Sequence, residues 1–236
     1  MNSDLNAAIE GLYAAFRRPR PPARVEGCPC CTTEAELEPL SRVPLRELSP
    51  SQIDQYGFKA LTTVGTVEDF RYFLPRLVEL AVGDQLETDR PVLFGKPAYG
   101  QWRTWPAGEQ SALERFAAAL AGTFRAQVYE VYDLDAWVCA LGQFLEDLPP
   151  YLEPLVAPTA PAAENLVRLY ELNRGDLKRG TLWSAYWRDH PNAAQLIDWF
   201  GRADVQQAID MAYVRQHGFE TVDPPAGDEE TEGGSI

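Results

Sequence analysis

Apolar residues recur at steps of three and four positions along most of this chain of 236 residues. A clear example is the stripe of Leu5, Ile9, Leu12 and Phe16, which would lie on one face of a helix. Such stripes predict about eight helices, within residues 3–16, 50–62, 66–81, 113–128, 134–145, 166–173, 182–200 and 205–213, with a break at His190 and Pro191 inside the seventh. No segment alternates apolar and polar residues with a period of two. The pattern therefore predicts an all-α fold, either an irregular helical bundle or a helical-hairpin array.

Three segments lack this periodicity. Residues 17–32 form an Arg/Pro linker that leads into a cysteine cluster, and residues 83–106 predict a long ordered loop rich in aromatic residues. The basic linker is either a contact strip for a partner or an arm that lies against the acidic body of its own chain. Residues 223–236 are rich in Pro, Gly and acid, which predicts a disordered acidic tail. The expected organisation is a single helical domain over residues 1–222, followed by that tail.

Local signals predict several helix ends. Thr66 and Asp69 resemble a capping box at the start of a helix, and Gly65 before them suits a left-handed backbone position. Pro75 lies inside the same helical pattern and predicts a kink or a break there. Asp133 is predicted to be the N-cap of the helix that follows it.

The chain is strongly acidic, with 35 Asp and Glu residues against 21 Lys and Arg residues and a formal net charge of −14. Such a charge repels phosphate backbones and anionic lipids, so neither nucleic acid nor a membrane surface is an expected partner. Residues 126–167 contain seven acidic residues and no Lys or Arg. We expect part of this stretch to face a basic protein partner, through the candidate residues Asp133, Asp135, Glu146, Asp147 and Glu153. The alternative is an ordinary solvated surface.

Two tryptophans, Trp102 and Trp105, lie in the predicted loop and are further candidates for partner binding. Exposed aromatic side chains on loops are frequent binding elements. The alternative is that both rings form a lid over the core.

The cysteines offer the only metal-ligand pattern in the sequence. Cys28 and Cys31 have the two-residue spacing that lets two thiolates bind one zinc ion. Two more ligands would be needed, and the chain offers Cys30, Cys139, His190 and His217. A structural zinc ion is therefore possible, and no other cofactor is expected. The alternative is that the cysteines are packed or surface thiols.

The sequence also bears on the compartment. The first residues do not resemble a secretory signal, and no window approaches the roughly 18 apolar residues of a membrane span. We therefore expect a cytoplasmic protein whose cysteines remain reduced.

Enzymatic motifs are absent from the sequence. It contains no glycine-flanked nucleophilic serine, no phosphate-binding glycine loop and no His-Glu-x-x-His helix, so we assign no catalytic residue.

One part of the chain resembles known sequences. The pair Cys28 and Cys31, followed by TVGTVEDFRYFLPRLVEL at residues 63–80, resembles a pattern in uncharacterised bacterial proteins, associated with toxin loci. The resemblance implies neither an activity nor a catalytic residue. The leading hypothesis is a non-enzymatic immunity-type protein that occludes a basic bacterial toxin. The alternatives are a metal-assisted enzyme that uses the Cys28–Cys31 region, and a structural or adaptor subunit that uses the aromatic loop.

Overall fold

The helical prediction holds for the part of the chain that the computed structural model describes, residues 2–18 and 22–217. Within these residues there are 11 α-helices and no strand, only isolated β-bridges that join Val64 to Gly27 and to Ala60. The helices are α1 (Ser3–Ala15), α2 (Glu34–Arg42), α3 (Pro50–Lys59), α4 (Val67–Val82), α5 (Arg90–Tyr99), α6 (Ala107–Thr123), α7 (Val131–Phe144), α8 (Pro149–Leu152), α9 (Ala160–Leu177), α10 (Pro191–Phe200) and α11 (Ala203–His217). The predicted tail, residues 223–236, lies outside the described residues.

The centre of the fold is made by two long helix pairs. Helix α5 packs along α7 and α1 packs along α6, while α9 packs against α7 and α11. Buried apolar side chains from Leu5 to Ile209 form one contiguous core. Among the described residues, no helix has both the length and the hydropathy of a membrane span.

Helix α5 overturns the predicted loop at residues 83–106. Its interior contains Gly95 and Pro97, which are poor helix formers, so the local pattern favours a loop. The helix forms because Leu93 and Phe94 are buried against the rest of the core, and tertiary packing outweighs intrinsic propensity. The first part of residues 182–200 also differs from the prediction, because it forms only a 3-10 turn (Ala185–Trp187), whereas the break expected at His190 and Pro191 is present where α10 begins.

The predicted helix ends are partly confirmed. The capping box at Thr66 and Asp69 is present, and Gly65 before it has a φ of +70°. Pro75 lies inside one continuous helix rather than between two. The predicted cap at Asp133 is wrong, because α7 begins two residues earlier and Asp133 lies in its first turn.

Candidate functional site

The five acidic candidates do not form one exposed surface. Three are paired with arginines from other segments: Asp133 with Arg90 at 2.9 Å, Glu146 with Arg103 at 3.5 Å, and Glu153 with Arg202 at 2.5 Å. Asp147 is exposed, whereas Asp135 is buried. Helix α7 has 14 residues and separates Asp133 from Glu146, which places these two carboxylates about 20 Å apart along the helix axis. The five candidates therefore do not make one acidic patch, and binding of a basic partner through some of them stays a prediction.

Both tryptophan candidates are buried rather than exposed. Trp102 is 2% exposed and donates its indole N–H to the carbonyl of Phe144 at 2.9 Å. Trp105 is 5% exposed and donates to the carbonyl of Gly100, also at 2.9 Å. The rings are therefore not exposed on a loop, since their polar and apolar parts are satisfied inside the fold, and partner binding through them stays a prediction. Their positions agree with the alternative of a cover over the core.

The arm that precedes the cysteines lies against the acidic body of the chain where it is described. Arg18 donates to the buried carboxylate of Glu109 at 2.8 Å, beside the two hydrogen bonds that Arg71 makes to the same carboxylate. Arg24 lies 3.6 Å from Glu34. These ion pairs support the interpretation of the linker as an intramolecular arm.

The cysteine cluster brings together three thiols, one more than the spacing rule selected. The sulfurs of Cys28 and Cys30 are 2.8 Å apart, those of Cys30 and Cys31 are 3.4 Å apart, and all three lie within 4.8 Å of one another. Zn–S bonds of about 2.3 Å in a tetrahedral site place sulfurs about 3.8 Å apart, so the thiols would have to separate around an ion, Cys28 and Cys30 by about 1 Å. Cys28, Cys30 and Cys31 could therefore hold a metal ion.

The loop that carries the cluster is fixed by its backbone. A tight turn joins the amides of Cys31 and Thr32 to the carbonyl of Cys28 at 2.9 and 3.0 Å. The amide of Cys28 in turn donates to Thr63 at 2.8 Å, and the ammonium of Lys59 donates to the carbonyl of Cys31 at 2.8 Å. Gly27 is required at its position, because a Cβ there would lie 2.6 Å from the hydroxyl of Thr32. The three thiols are thus presented by a preformed turn.

The three thiols influence each other's ionisation. Hydrogen bonding from Cys30, and then from Cys31, lowers the pKa of Cys28. The same interactions raise the pKa of Cys30 to about 11. One thiolate is therefore favoured in the cluster and a second is disfavoured, so a bound cation would be needed to hold all three sulfurs as thiolates.

The other candidate ligands lie elsewhere. Cys139 is buried within α7, and burial strongly raises the pKa of its thiol. His190 accepts at Nδ1 from the amide of Asn192 at 3.3 Å, which makes it the N-cap of α10. The side chain of His217 lies outside the described residues. The cluster is the only group of three potential metal ligands within reach of one another in the described part of the chain.

A second site surrounds Asp135, which the sequence analysis selected as an acidic candidate without indicating the residues around it. Asp135 is 2% exposed, and its Oδ1 atom has no hydrogen-bond partner. Burial raises the pKa of this carboxyl to about 6, although hydrogen bonds with Asn173 and Cys139 act in the opposite direction. The thiol of Cys139 is 3.8 Å from Oδ2, which makes it a weak donor.

Asp135 lines a cavity of about 270 Å³ between α5, α7 and the 3-10 turn before α10. Tyr132 and Trp183 form one wall, with ring centroids 5.3 Å apart, and are 63% and 48% exposed. The hydroxyl of Tyr186 donates to the carboxylate of Asp89. We call this cavity, defined by Asp89, Asp135, Tyr132, Trp183 and Tyr186, the aromatic-acidic pocket.

Comparison with known proteins adds no relative: no family model, no curated protein and no solved structure matches the chain. Functional inference therefore depends on the residues of the chain itself.

Proposed function

We propose that the protein binds one soft metal ion, zinc in the first instance, through the thiolates of Cys28, Cys30 and Cys31. The observation that carries the proposal is the convergence of three sulfurs within 4.8 Å on a hydrogen-bonded turn. Thiolate ligands favour zinc or Cu(I) over Mg²⁺ and Ca²⁺. Three protein ligands satisfy all but one position of a tetrahedral zinc ion.

The fourth position distinguishes two uses of the site. Cys30 and Cys31 are exposed, so the ion would lie at the surface with one side towards solvent. Closed four-ligand sites are structural, whereas catalytic zinc keeps one position for water or substrate. The metal-assisted enzyme considered from the sequence would use that position. A closed structural site would instead need a fourth ligand supplied by a partner.

Metal binding is tested by elemental analysis and competitive titration with Zn²⁺ and Co²⁺. We expect about one metal ion per chain, and a loss of affinity of at least tenfold in each of the variants Cys28→Ser, Cys30→Ser and Cys31→Ser. Cys139→Ser is the matched control and should keep the ion, because Cys139 is not part of the cluster. Absence of metal from the wild-type chain, or equal affinity in all four variants, would overturn the proposal.

As a second candidate we propose that the chain binds a basic protein, in the manner of an immunity-type protein that occludes a basic toxin. The supporting observation is the aromatic-acidic pocket, in which exposed aromatic rings lie beside carboxylates in a chain of net charge −14. Aromatic rings are enriched in protein interfaces, and complementary charge accelerates association.

The test is the association rate with a basic partner captured from the native host, measured at low and high salt. A partner steered by charge should associate more slowly as salt shortens the Debye length to about 8 Å. The charge reversal Glu87→Lys, at an exposed position that lines the pocket, should slow association further while leaving the fold intact. An association rate that ignores both salt and this reversal removes the electrostatic basis of this candidate.

A further inference from the structure

We propose that the aromatic-acidic pocket binds a primary alkylammonium group, with Asp135 accepting from the ammonium and Tyr132 and Trp183 covering its alkyl stem. This site is separate from the cysteine cluster. It is independent of the metal proposal. Only the source of the ammonium group, a lysine of a protein partner or a free amine, rests on the second candidate of the preceding subsection.

The first observation is the unpartnered carboxylate. Asp135 lines the pocket, is 98% buried and leaves Oδ1 without any hydrogen bond. Burial of a polar atom without a partner is costly, and such atoms in folded proteins need a specific explanation. The hydrogen bonds with Asn173 and Cys139 lower the pKa of this carboxyl without satisfying Oδ1, and Asn173 also donates to the carbonyl of Leu169 at 2.9 Å. An N–H donor that displaced the groups covering this oxygen, whose accessible area is below 1 Å², would remove the deficit.

The second observation is that no cation of the chain neutralises Asp135. Among the described residues, no ion pair includes it. Arg90 also lines the pocket but binds Asp84 at 2.7 Å and Asp133 at 2.9 Å. Since one guanidinium already serves two carboxylates, the pocket keeps a negative field that favours cations and repels anions.

The third observation is the aromatic wall. Tyr132 and Trp183 contact each other yet remain about half exposed, so their faces are available at the mouth of the pocket. Aromatic faces attract ammonium groups and pack against alkyl stems. The hydroxyl of Tyr186, another lining residue, is held by its hydrogen bond to the carboxylate of Asp89.

The same geometry argues against a metal ion as the occupant. A hard cation such as Ca²⁺ takes six or more oxygen ligands. In the described part of the chain, the pocket carboxylates do not converge into a group of three ligands. One buried carboxylate and two aromatic faces instead match a single organic cation.

The experiment titrates the isotopically labelled full chain with n-butylammonium at constant ionic strength. Binding is followed by nuclear magnetic resonance at the backbone amide of Ala136, which lines the pocket. The matched neutral probe is n-pentanol. We expect saturable binding of butylammonium, at least tenfold weaker binding of pentanol, and at least tenfold weaker butylammonium binding by Asp135→Asn. Asp147→Asn, in the same acidic stretch but exposed, should bind like the wild type.

Trp183→Leu is a second variant that removes the aromatic wall and keeps the carboxylate. It should weaken butylammonium binding several-fold. Equal binding of pentanol and butylammonium, unchanged binding by Asp135→Asn, or no saturable shift in the wild type would overturn the proposal.

A further arm identifies the source of the ammonium group. The capped tripeptide acetyl-Gly-Lys-Gly-amide is compared with butylammonium, and acetyl-Gly-norleucine-Gly-amide is the neutral control. Tighter binding of the lysine peptide supports a lysine of a protein partner. Tighter binding of butylammonium supports a free amine. Both results support the ammonium site. Only the first result also supports the basic-protein candidate.

Discussion

Asp135 should destabilise the fold at neutral pH, and its replacement by Asn should therefore stabilise the protein. Burial raises the pKa of this carboxyl from 3.8 to about 6. Since each pKa unit corresponds to 1.36 kcal/mol, the ionised group costs on the order of 3 kcal/mol. No discount for solvent screening applies, because the residue is only 2% exposed.

The sign of the effect follows from proton binding. Between pH 4 and 6 the folded chain holds a proton on Asp135 that the unfolded chain has released. Stability therefore falls as the pH rises through this window, and above pH 6 the full cost is present. At pH 5 the cost is about half its value at pH 7.5.

The assay is urea unfolding of the wild type, Asp135→Asn and the exposed control Asp147→Asn at pH 5 and pH 7.5. The stabilisation of Asp135→Asn relative to the wild type should be about 1 kcal/mol larger at pH 7.5 than at pH 5. Comparing the two pH values cancels any constant effect of the amide. A difference that is independent of pH, or the same pH dependence in the control, would refute the reasoning.

Three further predictions concern the core and the thiols. Gly142→Ala should cost about 1–3 kcal/mol by urea unfolding, because its Cβ would lie 2.4 Å from a buried tryptophan ring, whereas Gly122→Ala, with open space, should not destabilise the fold. Glu109→Gln should cost about 3–5 kcal/mol by leaving buried arginine charge without its carboxylate, while Glu114→Gln, in an exposed pair, should change stability by less than about 1 kcal/mol. In a thiol-reagent assay of the native, metal-free chain, Cys139 should react only after unfolding, because it is fully buried, while the other cysteines react at once.

The sequence predicts most of the long helices because their apolar stripes follow the helical period. Helix α4 illustrates this, since both its capping box and its apolar face are visible in the chain. Helix α5 could not be found in this way. Its prolines and glycine lower the local preference for a helix, and only contact with α7, which is distant in sequence, restores it.

The sequence predicts two of the three cysteines in the cluster as a ligand pair. A two-residue spacing selects Cys28 and Cys31, because that spacing is common to zinc sites. Cys30 joins them only because the turn after Cys28 folds its side chain back towards the other sulfurs, at 2.8 and 3.4 Å. Such a turn is held by Thr63, more than 30 residues away, so local spacing does not reveal it.

The buried position of Asp135 did leave a signal in the sequence. Asp135, Cys139 and Gly142 follow one another at steps of four and three residues, which is the spacing of a second helix face. All three are buried, because α7 packs against α5 on one side and against α9 and α10 on others. A cysteine and a glycine in register with the aspartate therefore indicate a buried carboxylate rather than a solvated one.

The distribution of charged residues along the sequence differs from their distribution in the folded structure. The folded distribution determines where the protein attracts a cationic partner. Residues 126–167 lack any basic residue, yet arginines at positions 90, 103 and 202 approach their carboxylates in the fold. Long-range steering depends on the charges that remain unpaired within about one Debye length of each other. Near the aromatic-acidic pocket, Glu87 and Asp89 are exposed and have no ion pair among the described residues, and Asp135 lies beneath them. The negative electrostatic field should therefore be strongest at this pocket rather than along residues 126–167. The same field would favour both a basic protein partner and an alkylammonium group at the pocket.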